Sequence, residues 1–424
     1  MKLAVLCPHF APDVAPTGDV ITRIVLELAD RGHQLHVVTA LPWYVHHRVE
    51  PTWAGRKVQV EPTEWGSIVR VHPFPTDKTS VPRRAAAFGA FSAIAGLAGL
   101  RGGHVDGVLA MSPPLTLGLT AWGMSVVRGG PMVFNIQDVF PDVAIELGAI
   151  TDERLVRAAQ WLERVSYGRA AAVTVLSDDL RDNVAAKVPP DQRGKVRVIP
   201  NFVDTDAIRP LDRDTAYRRE LGIGDETVVM YAGNVGFSQS LELLVYAARE
   251  LVADPGVVFV INGGGSAKEA LERDASDLPN IRFAPYQPKD RLAEVLATGD
   301  VHVVPLKRGL AASSVPSKTY SILAAGRPLL ASIDTGTEVA RLVERAGCGA
   351  AVEPDDPQAF LAGLKELLAS PDRGRALGER GREFVERWVS PRAVAEAYEA
   401  LFEELRGEAM PRSGTHPVAS IPRG

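Results

Sequence analysis

The sequence predicts an α/β protein of two doubly wound, Rossmann-like domains. Three observations carry that prediction. Short apolar runs alternate with helical patterns, the alternation restarts after Asn201-Phe-Val-Asp204, and 424 residues with 46% hydrophobic content exceed what one core usually holds. The runs are continuous rather than strictly alternating, which marks strands buried on both faces, as in parallel sheets.

The first run, 3–7, leads through a Pro- and Gly-bearing loop to Gly18 and then a helix. That helix sets Val20, Ile21, Ile24, Val25 and Leu28 on one face and ends at Gly32. Further strands are predicted at 35–39, 69–71, 108–110, 132–136, 173–176 and 196–199. Between them, Arg83 and Arg84 precede about 16 small apolar residues, short of the roughly 20 that span a bilayer. That stretch reads as a buried helix or as one lying on a membrane surface. In the second half, strands are predicted at 227–232, 257–261 and 301–306, and another from Pro328. Helices are expected at 241–252, 290–297, 337–346 and 358–369, and one opened by Pro316 and closed by Gly326. A last helix, 391–405, aligns Val394, Ala397, Tyr398, Leu401 and Phe402. Domains are expected over 1–203 and 204–388, with that helix within 389–406 and a disordered Pro-, Arg-, Ser- and Gly-rich tail over 407–424.

Composition narrows the function. Lys and Arg total 47 against 52 Asp and Glu, a net charge of −5, which argues against a nucleic-acid protein. Cys7 and Cys348 have no CxxC or His-rich setting, so neither a disulfide framework nor a zinc site is expected, and a reducing, cytoplasmic location fits. The N-terminal apolar stretch is too short for a signal peptide. The pairs Asp204/Asp206 and Asp212/Asp214 fall in the hinge and read as linker charges, so no metal is expected.

Ligands gather outside the carboxyl ends of parallel strands, and two such sheets facing a cleft would gather them there. Three groups of residues converge on that place. One is the first loop, with His9, Asp13 and Gly18; the glycine either admits a phosphate or sugar to the backbone or simply packs. The second is Asp138, which either orients a hydroxyl and stabilises charge on a sugar ring or caps the next helix. The third is a set of second-domain loops carrying Asn234, Gly236, Gln239, Gly263, Gly264, Tyr286, Lys307, Arg308, Ser317, Lys318 and Ser321. Cations and helix amides gathered there suit a diphosphate, although an ordinary βαβ crossover with surface charges has the same pattern. The fingerprint GxGxxG and a Walker A loop are both absent.

Several motifs together resemble the family 4 retaining glycosyltransferases. They are Thr17-Gly18, Arg31-Gly-His33, Val196-Arg-Val-Ile-Pro-Asn-Phe-Val-Asp204, Val229-Met-Tyr-Ala-Gly-Asn234, Asn262-Gly-Gly-Gly265 and Ala324-Ala-Gly-Arg-Pro328. Ile136-Gln-Asp-Val-Phe-Pro-Asp142 and Val315-Pro-Ser-Lys318 are similar to the subgroup of colanic-acid and fucosamine transferases. The resemblance implies a GT-B fold, a nucleotide diphosphate-sugar donor bound mainly by the second domain and an acceptor bound mainly by the first. It also implies a last helix that crosses back to the first domain, and no cofactor besides the donor. The acceptor it implies is a glycan on a polyprenyl lipid, with peripheral association at the inner face of the membrane.

The sequence departs from the family pattern at four positions. Asn234 and Gln239 stand where an Arg and a Lys are usual, and Ser313 and Ser321 replace a Glu-x7-Glu pair. Lys318, supported by Lys307 or Arg308, is therefore expected to neutralise the leaving diphosphate, with Asp138 as the second catalytic residue. A nucleotide-sugar epimerase and a non-catalytic nucleotide-sugar-binding protein are the rival readings.

Overall fold

The computed structural model describes residues 1–44, 46–75, 81–142, 145, 152–309 and 318–407. They divide into two compact units, one of Met1–Asn201 with the described residues from Val394 onward, the other of Phe202–Ala393.

The first unit holds an eight-stranded sheet in the order β3-β4-β2-β1-β5-β6-β7-β8. Its strands are β1 (Lys2–Leu6), β2 (Gln34–Ala40), β3 (Val58–Thr63), β4 (Gly66–Val71), β5 (Gly107–Ser112), β6 (Met132–Ile136), β7 (Ala172–Val175) and β8 (Val196–Val198). All pair in parallel except β3, which runs antiparallel to β4 from Val58↔Val71 to Thr63↔Gly66. The apolar runs became central strands because both their faces are covered: Leu3, Val5, Leu109, Val133 and Val173 are all wholly buried. The helix Pro16–Asp30 buries Ile21, Ile24, Val25 and Leu28, the stripe its periodicity predicts.

The segment beginning at Arg83 forms the helix Val81–Gly99, which buries Phe91 and Ala95 and leaves Leu97 exposed. No described helix is long and apolar enough to cross a membrane. The last helix, Pro391–Leu405, buries Tyr398, Leu401 and Phe402, and its acidic edge meets the end of the first helix. Arg31 binds Glu399 at 2.8 Å and Glu396 at 2.9 Å, and His33 Nε2 lies 2.9 Å from Glu399. The motif Arg31-Gly32-His33 thus serves docking of this helix.

The second unit holds a six-stranded parallel sheet in the order β11-β10-β9-β12-β13-β14. Its strands are β9 (Thr227–Ala232), β10 (Val257–Asn262), β11 (Ile281–Ala284), β12 (Val301–Pro305), β13 (Leu329–Ser332) and β14 (Gly349–Val352). The edge strands β11 and β14, the antiparallel β3 and the helix Pro371–Trp388 were not anticipated. The expected start of a helix at Pro316, the positions Ser313 and Ser317, and the expected disordered tail beyond Gly407 lie outside the described residues.

Candidate active site

In the second unit, β9, β10 and β11 end side by side, and the helix Lys318–Ala324 starts beside them. A pocket of about 270 Å³ lies there, with Gly233, Asn262, Tyr286, Lys289, Lys318 and Ser321 in its wall. Lys318 and Ser321 are three residues apart on one helix and so share the face turned to the pocket. Lys318 Nζ donates to the Tyr231 hydroxyl at 2.8 Å and stands 4.4 Å from the centre of that ring. Among the described residues no carboxylate pairs with this amine, and none of residues 310–317 is acidic. Burial pushes its pKa down to about 8. A largely desolvated cation with no counter-charge among the described residues, at the wall of a pocket, is the arrangement an anionic ligand completes.

The loops around the pocket brace one another. A Cβ on Gly263, whose φ is +151°, would lie 1.9 Å from the Gly233 carbonyl oxygen, so only glycine lets the loop after β10 rest on the loop after β9. The Val235 amide donates to the Gly264 carbonyl at 2.9 Å, and the Tyr286 hydroxyl donates to the same carbonyl at 3.1 Å. The Gly236 amide donates to Gln239 Oε1 at 3.1 Å, so this glutamine, at an expected ligand position, supports its own loop. The Asn234 carbonyl accepts from the Tyr231 hydroxyl. Lys307 and Arg308 are not in the wall of this pocket. The Lys307 ammonium lies 3.7 Å from Glu242, while the Arg308 guanidinium reaches Glu353 at 3.3 Å and the Pro354 carbonyl at 2.9 Å.

In the first unit, the loops after β1 and β2 are joined by the buried carboxylate of Asp13. It lies 2.7 Å from His9 Nδ1 and accepts from the amides of Trp43 at 3.1 Å and Tyr44 at 2.9 Å. With Nδ1 directed at the carboxylate, Nε2 is the atom His9 has left for a ligand. The His9 ring stacks on Trp43 at 5.6 Å and meets the edge of Tyr44 at 5.1 Å. A Cβ on Gly18 would lie 2.9 Å from the Cβ of His9, so the close packing of the histidine requires glycine at this position.

Asp138 is exposed on the loop that leaves β6. Among the described residues nothing donates to its carboxylate, and the helix-capping alternative finds no described amide. Its loop is fastened on both sides. Before it, Gln137 Nε2 donates to Asn135 Oδ1 at 2.6 Å and Gln137 Oε1 accepts from Asn201 at 2.9 Å. After it, Asp142 accepts from Lys187 at 2.7 Å and Asn183 at 3.1 Å. Lys187 also binds the buried Glu163 at 2.8 Å, whose pKa burial raises.

Comparison with known proteins places this geometry. A glycosyl transferase 4-like domain matches residues 17–201, and a model of glycosyl transferases group 1 matches residues 226–370. The putative colanic acid biosynthesis glycosyl transferase of Escherichia coli strain K12 is 28% identical over 421 residues, covering 96% of this chain and all of that one. The chain belongs to the family 4 glycosyltransferases. Its fold is GT-B. The sucrose-phosphate synthase of Thermosynechococcus elongatus superposes with a TM-score of 0.66 at 19% identity, covering 96% of this chain and 100% of that one. An Anabaena protein solved with UDP and glucose gives 0.61 at 12% identity, covering 95% and 100%.

Within this glycosyltransferase, sequence reasoning named Lys318, Ser321 and Tyr286, which share the pocket, quoted Asn262 and Tyr231 only as parts of motifs, and passed over Lys289. One signal for Tyr231 was present: a tyrosine inside the otherwise aliphatic run Thr227–Ala232 has a hydroxyl that must find a partner. The aromatic cluster Trp43-Tyr44 was equally visible as sequence, but only the fold brings it against His9.

Proposed function

We propose that the protein is a retaining, metal-independent glycosyltransferase of cell-surface polysaccharide biosynthesis. It takes a hexosyl or N-acetylhexosaminyl group from a nucleotide diphosphate-sugar and passes it to a glycan on a polyprenyl lipid. The observation that carries the reading is Lys318, a partly buried ammonium with no described counter-ion in a pocket at the carboxyl ends of β9, β10 and β11. As the bond from the anomeric carbon to the diphosphate breaks, negative charge grows on the departing oxygen, and Lys318 stabilises it. An acceptor hydroxyl bonds to the same face of that carbon, and its proton passes to the departing diphosphate. Ser321 and Tyr286 line the donor's pocket, while His9 and Asp138, in the first unit, serve the acceptor and the charge on the sugar ring. The E. coli relative's name supports the polysaccharide context. The helix Val81–Gly99, with Leu97 exposed behind Arg83, supports peripheral contact with the inner face of the membrane.

A thermal-shift panel of UDP-, GDP- and dTDP-sugars, followed by nucleotide release with an envelope extract in EDTA, tests this. One class should stabilise the protein by roughly 2.7 kcal/mol at about 100 times its Kd. Nucleotide should then appear only with extract, labelled sugar should enter the lipid phase, and the protein should sediment with envelope membranes. A donor altered without any extract would indicate an epimerase, and binding with no release under any condition a non-catalytic protein.

A further inference from the structure

We propose that Tyr231 is the positioning residue for Lys318: its phenol fixes where the ammonium stands and how many of its N–H groups remain for a ligand. The inference rests on the reading of Lys318 as the cation for the donor diphosphate.

Tyr231 lies near the end of β9 and is wholly buried. Its hydroxyl donates its one proton to the Asn234 carbonyl. A phenol has no second proton, so toward Lys318 it can only accept, which the 2.8 Å contact from Nζ requires. The same ring lies under the ammonium at 4.4 Å, and its negative face favours a cation there. Burial raises the phenol's pKa, so it stays neutral and does not cancel the lysine's charge.

Gly233 keeps the space open, since a Cβ there would lie 3.1 Å from Nζ and 3.4 Å from the phenol oxygen. One ammonium N–H is thus committed to Tyr231, and among the described residues nothing takes the other two, which are left for phosphate oxygens. A lysine without such a seat has a flexible four-carbon stem and no fixed charge position. Because the phenol also binds Asn234, it ties the lysine to the loop that follows β9.

The test compares Y231F, K318R, K318M and the Y231F/K318M double variant with the donor the panel selects, with a melting curve for each. Y231F keeps the ring and removes only the oxygen. Turnover should fall on the order of 10- to 100-fold, with donor KM changed far less, because a displaced charge is missed mostly in the transition state. In the K318M background, Y231F should cost nothing further, whereas a merely structural tyrosine would lower both backgrounds alike. K318R keeps the charge but moves it off the phenol and should lose turnover too, which keeps the idea testable should Y231F melt too low to assay. Loss in K318M with wild-type turnover in Y231F or in K318R overturns the positioning role and leaves the lysine reading standing. Full activity in K318M overturns the lysine reading itself.

Discussion

Burial holds the Lys318 ammonium near a pKa of about 8, against 10.5 for a free lysine. It is therefore charged at neutral pH and loses its proton in mildly alkaline solution. The phenol of Tyr231 is below it, with Tyr286 and Lys289 in the wall of the same pocket, and none of these is a carboxylate. If the charge neutralises a leaving diphosphate, kcat/KM for the donor, which reports the free enzyme, should fall as pH rises through about 8. A profile flat from pH 7 to 10 would show that the ammonium takes no part. At this scale the sequence was informative about Lys318, a basic residue beside a helix start, and silent about its surroundings. Tyr231 lies 87 positions away in the chain, and their contact exists only because β9 and the helix Lys318–Ala324 end at one place. Gln239 and Arg308 show the reverse case: polar residues in the expected loops whose groups are taken up by Gly236 and by Glu353.

Among the elements, the returning helix Pro391–Leu405 is held by a buried relay. The Tyr398 hydroxyl accepts from Asn135 at 2.9 Å and lies 3.2 Å from Thr174 Oγ1, and Asn135 accepts from Gln137. Gln137 in turn binds Asn201, the last residue before the chain enters the second unit. Both crossings of the chain are thus joined to the residue before Asp138. Replacing Tyr398 with Phe leaves buried polar atoms without a partner and should destabilise the protein by about 1–3 kcal/mol. A urea melt checks this; an unchanged midpoint would mean that the relay contributes nothing. Central strands such as Met132–Ile136 and Val257–Asn262 were legible because they are apolar on both faces. The strands that escaped are edges: Val58–Thr63 exposes every other side chain, Ile281–Ala284 has four residues, and Gly349–Val352 is built from small ones. Edges bury less, so their sequences have a weaker signal. The helix Pro371–Trp388 escaped because its apolar residues are few among charges, although its buried glycines 374, 378 and 381 give it a close-packed face.

For the molecule as a whole, each unit packs its own core against its own sheet, and each carries its candidate site residues where strands end and loops begin. The fold was legible because alternation of strand and helix admits few alternatives. The site was legible only in part, since loops of glycine and polar residues reveal their partners once folded. Everything proposed for the second unit rests on one charge, so the variant K318M is the most direct measurement, read as donor turnover beside a thermal melt. The ammonium is desolvated with no carboxylate partner among the described residues, so its removal should leave the melting temperature unchanged or raised. Stability of the native protein should likewise rise between pH 8 and 10.5, where the unfolded chain holds the proton longer. Turnover, in contrast, should fall about 10²- to 10³-fold in the variant, as when a principal stabiliser of developing charge is lost. A well-folded K318M protein that turns over donor within about twofold of wild type, a change of less than 0.5 kcal/mol in the barrier, would contradict the account.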